Sequence, residues 1–222
     1  MATVGVIPAA GYARRLQPFP SSKETCVVAG KPMMDHLIER MRQASPSGLR
    51  VVTRPEKEDV IGHAKSRGAT VVIGHPASVA ESFALGLEGL AEDDVVLLGF
   101  PDTIWEPLDG FPRLLESLDR AHPIVLGLFR TPEPTRTDVV GFGLSGAIRE
   151  IAVKPFSPAS DWTWGAVVAC VGALGDFGGE AEPGRYFDRL ARLGRLRGIA
   201  LSDRYVDIGT PDALRRATSG GH

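Results

Sequence analysis

Polar and charged side chains directly follow apolar runs in four segments of this chain. The first segment, residues 7–24, reads IPAAGYARRLQPFPSSKE and contains Gly11, Arg14, Arg15 and Lys23. Glycine and small neighbours let backbone N–H groups approach an anion, and arginine and lysine neutralise phosphate charge. From composition alone, a phosphate-binding loop and an ordinary solvated loop are equally favoured.

Two well-known phosphate motifs are absent from this stretch. It contains no GxGxxG, so it is not a dinucleotide fingerprint. It is not a P-loop either, because Gly30 and Lys31 are followed by Pro32 and position 25 is threonine. Any phosphate binding here must use another loop geometry.

The second segment places Asp102 after the apolar run DVVLL of residues 94–98. A carboxylate at the end of a buried strand is well placed to hold Mg²⁺, which takes one or two carboxylates together with phosphate oxygens. Taken alone, an aspartate in a turn is the slightly favoured alternative.

The third segment, residues 153–155, contains Lys154, and the fourth, residues 205–212, contains Asp207. A lysine after a strand faces either a site or water, and alone it is weak support for a site. Asp207 lies between Val206 and Ile208, so if it is buried it needs a partner. A metal ion, an arginine or a lysine would serve.

The elements that must position these groups alternate along the first part of the chain. This alternation predicts a mostly parallel sheet covered on both sides by helices, and in such sheets ligands bind beyond the carboxyl ends of the strands. Strands are predicted at 4–8, 49–53, 69–73, 94–98, 123–129, 139–144, 148–154, 164–171 and 199–208, and helices at 33–44, 59–67, 79–90, 111–121, 186–196 and 211–218.

After residue 130 the long helices disappear, which predicts antiparallel additions to the sheet. The fold class is therefore α/β, a three-layer α/β/α Rossmann-like fold with a mixed, mostly parallel central sheet. We expect one domain over residues 1–222, with 218–222 as a disordered tail.

Composition excludes several classes of protein. The 222 residues carry a formal net charge of −2 and a pI near 6.2, which argues against a nucleic-acid partner. No apolar run reaches the length of a membrane helix.

Cys26 and Cys170 form no CxxC pair, and the first residues lack the pattern of a secretion signal, so we expect a cytoplasmic protein. The histidines show no metal-ligand spacing and there is no GxSxG elbow, so a hydrolase is poorly supported. Oligomerisation is left open.

The four segments, in this order, resemble the sugar-1-phosphate nucleotidyltransferases. The first and last motifs are the specific ones, and the likeness spans nearly the whole chain. The matching motifs are GYARRLQP at 11–18, SKE at 22–24, GKPM at 30–33, VAESF at 79–83, FPD at 100–102, GFG at 141–143, KP at 154–155, WG at 164–165 and DIGTP at 207–211.

The resemblance implies a role for each matching residue. Arg15, Lys23 and Asp102 would be catalytic, and Asp102 and Asp207 would together hold Mg²⁺. The nucleotide would lie against Ala10, Gly11, Tyr12, Ala13, Arg14 and Ser78. The sugar phosphate would lie against Lys154, Gly141, Trp164 and Gly165. The partners would be a nucleoside triphosphate and a sugar 1-phosphate, whose oxygen attacks the α-phosphorus in line while pyrophosphate leaves.

The chain departs from the family pattern at several positions. Ala13 and Arg14 replace a glycine and a threonine, Val153 replaces a glutamate, and the base-reading glutamine falls near Ile73. Two alternatives therefore stay open. One is a cytidylyltransferase acting on a non-sugar phosphate such as phosphocholine, and the other is a non-catalytic nucleotide-sensing module.

Overall fold

The computed structural model describes residues 1–12, 22–143, 145–202, 204–210, 213–215 and 217. The strands are β1 (Thr3–Pro8), β2 (Val27–Val28), β3 (Lys31–Pro32), β4 (Gly48–Thr53), β5 (Thr70–Ile73), β6 (Val95–Gly99), β7 (Thr103–Trp105), β8 (Ile124–Arg130), β9 (Val139–Phe142), β10 (Ile148–Ala152), β11 (Trp162–Cys170), β12 (Leu196–Ser202) and β13 (Tyr205–Asp207). The helices are α1 (Met33–Gln43), α2 (Glu58–Ser66), α3 (Val79–Leu87), α4 (Gly110–Glu116), α5 (Val171–Leu174) and α6 (Pro183–Arg192).

A seven-stranded sheet in the order β12-β8-β11-β6-β1-β4-β5 forms the centre of the molecule. Strand β1 runs parallel to β4 and β6, and β4 runs parallel to β5. Strand β11 is antiparallel to both β6 and β8, whereas β12 is parallel to β8. The predicted mixed, mostly parallel sheet is therefore confirmed.

Successive side chains of a strand point to opposite faces of the sheet, so apolar residues on both faces need cover. Helices provide it on each side. On one face Val6 packs in a core with Phe83 of α3 and Phe187 of α6. On the other face Ile7 packs in a core with Leu37 of α1 and Phe111 of α4. Strand β6 is buried along its whole length between the two cores. This is the predicted three-layer α/β/α arrangement.

Three predictions for the second half of the chain were wrong in detail. Strands β9 and β10 do not extend the central sheet but pair with each other as a separate antiparallel hairpin. Gly146, with φ +78°, lies in the turn between them. The single strand predicted at 199–208 is two strands, and the second, β13, pairs with β7. Helix α4 ends at Glu116 rather than at residue 121. Local apolar patterning does not specify which strand a segment pairs with.

In the part of the chain that the structure describes, no helix has the length and apolar character needed to span a bilayer.

Close packing between α3 and β1 gives a test of this architecture. A Cβ added at Gly86 would lie 2.2 Å from Cγ1 of Val6 and 3.1 Å from Cγ2 of Val52. We expect Gly86→Ala to lower the free energy of unfolding by about 1–3 kcal/mol, because the core there has no room for a methyl group. Urea denaturation measures the change.

The matched control is Gly62→Ala in helix α2. An added Cβ at Gly62 meets nothing within 4 Å. This substitution should be neutral or stabilising by up to about 1 kcal/mol, since alanine favours a helix more than glycine does. Equal effects of the two substitutions would contradict the packing of α3 on the sheet.

Candidate functional site

A cavity of about 710 Å³, called here the large cavity, lies at the carboxyl ends of β1, β4 and β6. Ala10, Gly11 and Tyr12, which follow β1, line one side of it. Ser78 lines another side, and its Oγ caps α3 by accepting a hydrogen bond from the backbone N–H of Glu81 at 3.0 Å. The N-terminus of a helix favours anions, because its first N–H groups lack partners within the helix. This wall therefore suits a phosphorylated ligand.

A second cavity of about 190 Å³, called here the small cavity, adjoins the large one. Lys154, Trp164 and Asp207 line it. Asp102 lines both cavities, so two ligands bound side by side would meet there. Residues that are far apart in the sequence thus converge at one edge of the sheet.

Lys23 and Asp102 form an ion pair at this meeting point. Lys23 Nζ lies 2.6 Å from Oδ2 of Asp102, and both side chains are about four-fifths buried. Burial by itself would lower the pKa of Lys23, but the carboxylates of Asp102 and Glu24 outweigh it and raise the pKa. Lys23 therefore carries its positive charge at neutral pH.

Asp207 is brought next to Asp102 by the pairing of β13 with β7. Asp207 stands opposite Thr103 in this ladder, and the backbone N–H of Ile208 donates to the carbonyl oxygen of Asp102 at 2.9 Å. Both carboxylates line the small cavity. Among the described residues, no group of three or more His, Cys, Asp or Glu side chains is arranged to hold a metal. A pair of carboxylates completed by substrate oxygens is nevertheless a donor set that fits Mg²⁺.

Lys57 ties the wall of the large cavity together. Its Nζ donates to the carbonyl oxygens of Ala9 at 2.7 Å and Gly11 at 3.1 Å, and to Oε2 of Glu24 at 2.7 Å. Glu24 is fully buried, and burial raises its pKa although Lys57 and Lys23 oppose the shift. Since Glu24 follows Lys23 directly, Lys57 joins the loop after β1 to the turn that carries the ion-paired lysine.

We expect Lys57→Met to destabilise the fold by about 3–5 kcal/mol, because it leaves the Glu24 carboxylate buried without its charged partner. The double variant Lys57→Met/Glu24→Leu should regain much of this loss, since both buried charges are then gone. Urea denaturation of both variants provides the measurement. Lys65→Met, on the exposed face of α2, is the control. A single variant as stable as this control would contradict the role given to Lys57.

Lys154 enters the small cavity from a left-handed backbone conformation, with φ at +42°. Its Nζ lies 3.4 Å from Oε1 of Glu182, and both side chains are about half exposed. An exposed pair of this kind is weak, with a typical value of about 0–1 kcal/mol. The ammonium of Lys154 is therefore readily available to an incoming phosphate.

The remaining predicted site residues fall into two groups. Gly141 and Gly165 line neither cavity. Gly141 lies against the side chain of Glu150 in the β9–β10 hairpin, whereas Gly165 leaves room for Tyr205, whose ring would be 2.6 Å from an added Cβ. Ala13, Arg14 and Arg15 lie outside the described residues.

Sequence reasoning missed Lys57 and Arg54. Both follow strand β4, whose carboxyl end meets the same edge of the sheet, so the rule used for the other loops would have found them. Arg54 donates to the carbonyl oxygens of Ala10 at 2.9 Å and Pro76 at 2.6 Å, and its guanidinium stacks over the Tyr12 ring. It thereby joins two walls of the large cavity. Asp138, in the small cavity, precedes a strand and gave no signal in the sequence.

Comparison with known proteins bears on both the fold and the site. The family model described as the MobA-like NTP transferase domain matches residues 5–136. A protein of Bacillus anthracis described as a glucose-1-phosphate thymidylyltransferase superposes with a TM-score of 0.86 and 22% identity, covering 99% of this chain and 95% of that one. A UDP-glucose pyrophosphorylase crystallised with UDP-glucose gives 0.82 and 14%, covering 99% and 98%. These matches confirm the predicted fold class.

Two archaeal relatives align over most of the chain. The UTP–glucose-1-phosphate uridylyltransferase AglF of Haloferax volcanii is 27% identical over 93% of this chain and 91% of its own length. The bifunctional protein GlmU of Methanococcus maripaludis is 25% identical over 96% of this chain, which spans only 53% of that protein. These comparisons confirm the resemblance inferred from the sequence motifs. They also confirm the predicted class of enzyme, which is a nucleotidyltransferase.

Proposed function

Because the chain belongs to the MobA-like NTP transferase domain family, we propose that it joins a nucleoside triphosphate to a sugar 1-phosphate, giving an NDP-sugar and pyrophosphate. The observation that carries this proposal is the meeting of the large and small cavities at the Lys23–Asp102 pair. Transfer between two phosphorylated substrates needs such a junction, since it must bring two anions into contact. The uridylyltransferase activity named for the Haloferax relative supports a sugar 1-phosphate as the acceptor.

The nucleoside triphosphate would occupy the large cavity. The backbone of residues 10–12 lies along one wall, and the N-terminus of α3 faces the cavity at Ser78. Lys57 and Arg54 hold that backbone in place by donating to its carbonyl oxygens. These contacts do not use the backbone N–H groups. A wall fixed before binding lowers the free-energy cost of ordering the protein when the ligand binds.

The sugar 1-phosphate would occupy the small cavity, with its phosphate near Lys154. Its phosphate oxygen would attack the α-phosphorus in line, and pyrophosphate would leave into the large cavity. Lys23 supplies positive charge between the two reacting phosphates. Since phosphoryl chemistry of this kind depends on positioning and charge neutralisation, no histidine or serine nucleophile is required.

Asp102 and Asp207 would hold Mg²⁺ at the junction of the two cavities. When bound, the ion neutralises charge on the phosphate oxygens of the nucleotide. Lys23 pairs with Asp102 in the structure. Its positive charge therefore lies next to one of the two proposed metal ligands. Lys154, which also lines the small cavity, would bind the phosphate of the acceptor.

A matrix of nucleoside triphosphates and phosphate acceptors with Mg²⁺ tests the proposal. We expect pyrophosphate release with at least one hexose 1-phosphate, together with an NDP-sugar identified by mass spectrometry. A thermal-shift screen against ATP, CTP, GTP, UTP and dTTP identifies the base beforehand, because a bound ligand raises the unfolding midpoint. Nucleotide binding without turnover on any acceptor would contradict the proposal and favour a nucleotide sensor. Turnover confined to phosphocholine with CTP would contradict the sugar acceptor alone.

A further inference from the structure

The carboxylate of Asp138 lies in the small cavity beside Lys154 and Trp164. Its Oδ2 accepts a hydrogen bond from Nε1–H of Trp164 at 3.2 Å, and the backbone N–H of Lys154 provides a further favourable interaction. Burial raises the pKa of Asp138 in spite of these donors. Among the described residues, Asp138 has no salt-bridge partner. The hydrogen-bond donors to this half-buried carboxylate are neutral, and the charge of the Lys154 ammonium acts on it without such a salt bridge, so the carboxylate has acceptor capacity left for a ligand.

The surrounding chain is packed to leave room for this carboxylate. A Cβ added at Gly184, at the start of α6, would lie 2.2 Å from Oδ2 of Asp138 and 3.0 Å from Cγ2 of Val153. Any side chain at position 184 would therefore push Asp138 out of its place. Val153, which also contacts this position, offers no polar atom, so the hydrogen-bonding group next to Gly184 is Asp138.

A second polar group next to Asp138 points to the same kind of ligand. Thr137 lines the small cavity, and its Oγ1 is buried without a hydrogen-bond partner in the described part of the chain. An unpaired buried hydroxyl costs free energy, so such a group in a native protein calls for an explanation. A ligand that carries several hydroxyl groups would supply hydrogen-bond partners to both Asp138 and Thr137.

The shape of the small cavity and the polar groups at its edge favour a sugar ring as the acceptor. The Trp164 ring is held by Asp138 and packs on Phe100 and Phe187 with centroids 5.2 and 5.0 Å apart. This makes an apolar wall with a carboxylate at its edge, which suits the C–H face and the hydroxyl edge of a pyranose. Lys154 and Arg136 also line the cavity, and either cation could pair with the phosphate of the acceptor.

We propose that Asp138 is a specificity-determining residue that reads a ring hydroxyl of a pyranosyl phosphate acceptor. The inference rests on the proposed function, since it assigns the acceptor to the small cavity. It adds the chemical class of that acceptor, which is a sugar phosphate with a free hydroxyl facing Asp138. It also assigns the residue that discriminates against analogues lacking this hydroxyl.

Steady-state kinetics of the wild type, Asp138→Ala and Asp138→Asn test the inference. The acceptors are glucose 1-phosphate, its singly deoxygenated analogues, glucosamine 1-phosphate and phosphocholine. In the wild type, one deoxy analogue should raise KM by about 10- to 100-fold, as expected for the loss of a hydrogen bond to a charged group. In Asp138→Ala the parent sugar should show the same rise, and that deoxy analogue should show no further loss. Asp138→Asn, which keeps the shape and can still bond a hydroxyl, should fall between the two.

The controls separate this role from a structural one. Nucleotide-induced thermal shifts should match the wild type in both variants, because Asp138 does not line the large cavity. Asp161→Ala, which removes an exposed carboxylate paired with Arg130, should leave KM for every acceptor unchanged. Folded variants in which KM rises equally for every acceptor would overturn the inference. So would a wild type that prefers an ammonium-bearing acceptor, if Asp138→Asn loses that preference. A wild type that turns over no sugar 1-phosphate at all would overturn the proposed function together with this inference.

Discussion

Replacing Lys23 by methionine is expected to lower kcat for pyrophosphate release by about 10²- to 10³-fold, the usual cost of removing one preorganised donor from a site of developing charge. Lys23 Nζ lies at the junction of the two cavities, 2.6 Å from Oδ2 of Asp102. Methionine keeps most of the volume of the stem but removes the charge. Steady-state assays with the nucleotide and acceptor identified above give the measurement.

Lys65→Met provides the matched control for Lys23→Met, because Lys65 is exposed on α2 and lines neither cavity. Thermal unfolding should show that both variants are folded. If kcat and KM are both unchanged in a folded Lys23→Met protein, Lys23 has no part in the reaction. If KM for the nucleotide rises while kcat stays the same, Lys23 binds the ground state and the transition state equally.

Asp102→Asn is expected to raise the Mg²⁺ concentration needed for half-maximal activity by at least about tenfold, because even loss of an outer-sphere partner of a metal costs 10- to 100-fold. An amide keeps the shape of the carboxylate but not its charge. Asp207→Asn should shift the Mg²⁺ requirement in the same direction, since both carboxylates line the same cavity. Mg²⁺ titrations at saturating substrates give the comparison.

A control variant and a binding measurement test the metal role of Asp102. Asp93→Asn, at an exposed carboxylate near the N-terminus, should leave the titration unchanged. The rise in the unfolding midpoint that Mg²⁺ causes in the presence of nucleotide should be smaller in Asp102→Asn. This measurement reports binding and needs no turnover. An Mg²⁺ titration that is the same in all three variants would contradict the assignment of Asp102 and Asp207 as metal ligands.

The two largest effects share one physical origin, which is charge at the junction of the cavities. Lys23 is held charged by the carboxylates around it, and Asp102 is held in place by Lys23 and by the β7–β13 ladder. Because the two side chains contact each other, their substitutions should not be additive. The double variant Lys23→Met/Asp102→Asn is therefore expected to lose less activity than the product of the single losses.

Much of the fold was predictable because it depends on local patterns. Continuous apolar runs such as residues 94–98 belong to strands buried on both faces, and the helical spacing of Met33, Leu37 and Met41 places α1 on one side of the sheet. The hairpin of β9 and β10 was not predictable in the same way. Its strand β10 packs against α6, with Ile148 and Ile151 in the same core as Phe187, and nothing in the strand sequence distinguishes that partner from an edge of the central sheet.

The candidate site was predictable where it lies at the carboxyl end of a strand. Lys23, Asp102, Lys154 and Asp207 were all chosen for that reason, and the structure brings Lys23 and Asp102 together and places the others at the adjoining small cavity. Gly141 and Gly165 came from looser motif matches, and they lie outside both cavities. The first loop remains a prediction at Arg14 and Arg15, which lie outside the described residues.

The sequence by itself determined the layer architecture and the loops that carry the charges, because both follow from the order of residue types along the chain, and its motifs indicated the class of enzyme through their resemblance to a known family. Only the tertiary structure decided which of those charges meet. Lys57 and Glu24 are 33 residues apart, and Trp164 and Asp138 are 26 apart. Contacts over such separations depend on how strands pair and helices pack, and no local pattern encodes their distance. The residues IPAAGYARRLQPFPSSKE predict where a phosphate site begins, whereas only the fold shows that Lys57 holds the backbone at Ala9 and Gly11 and that Lys23 pairs with Asp102.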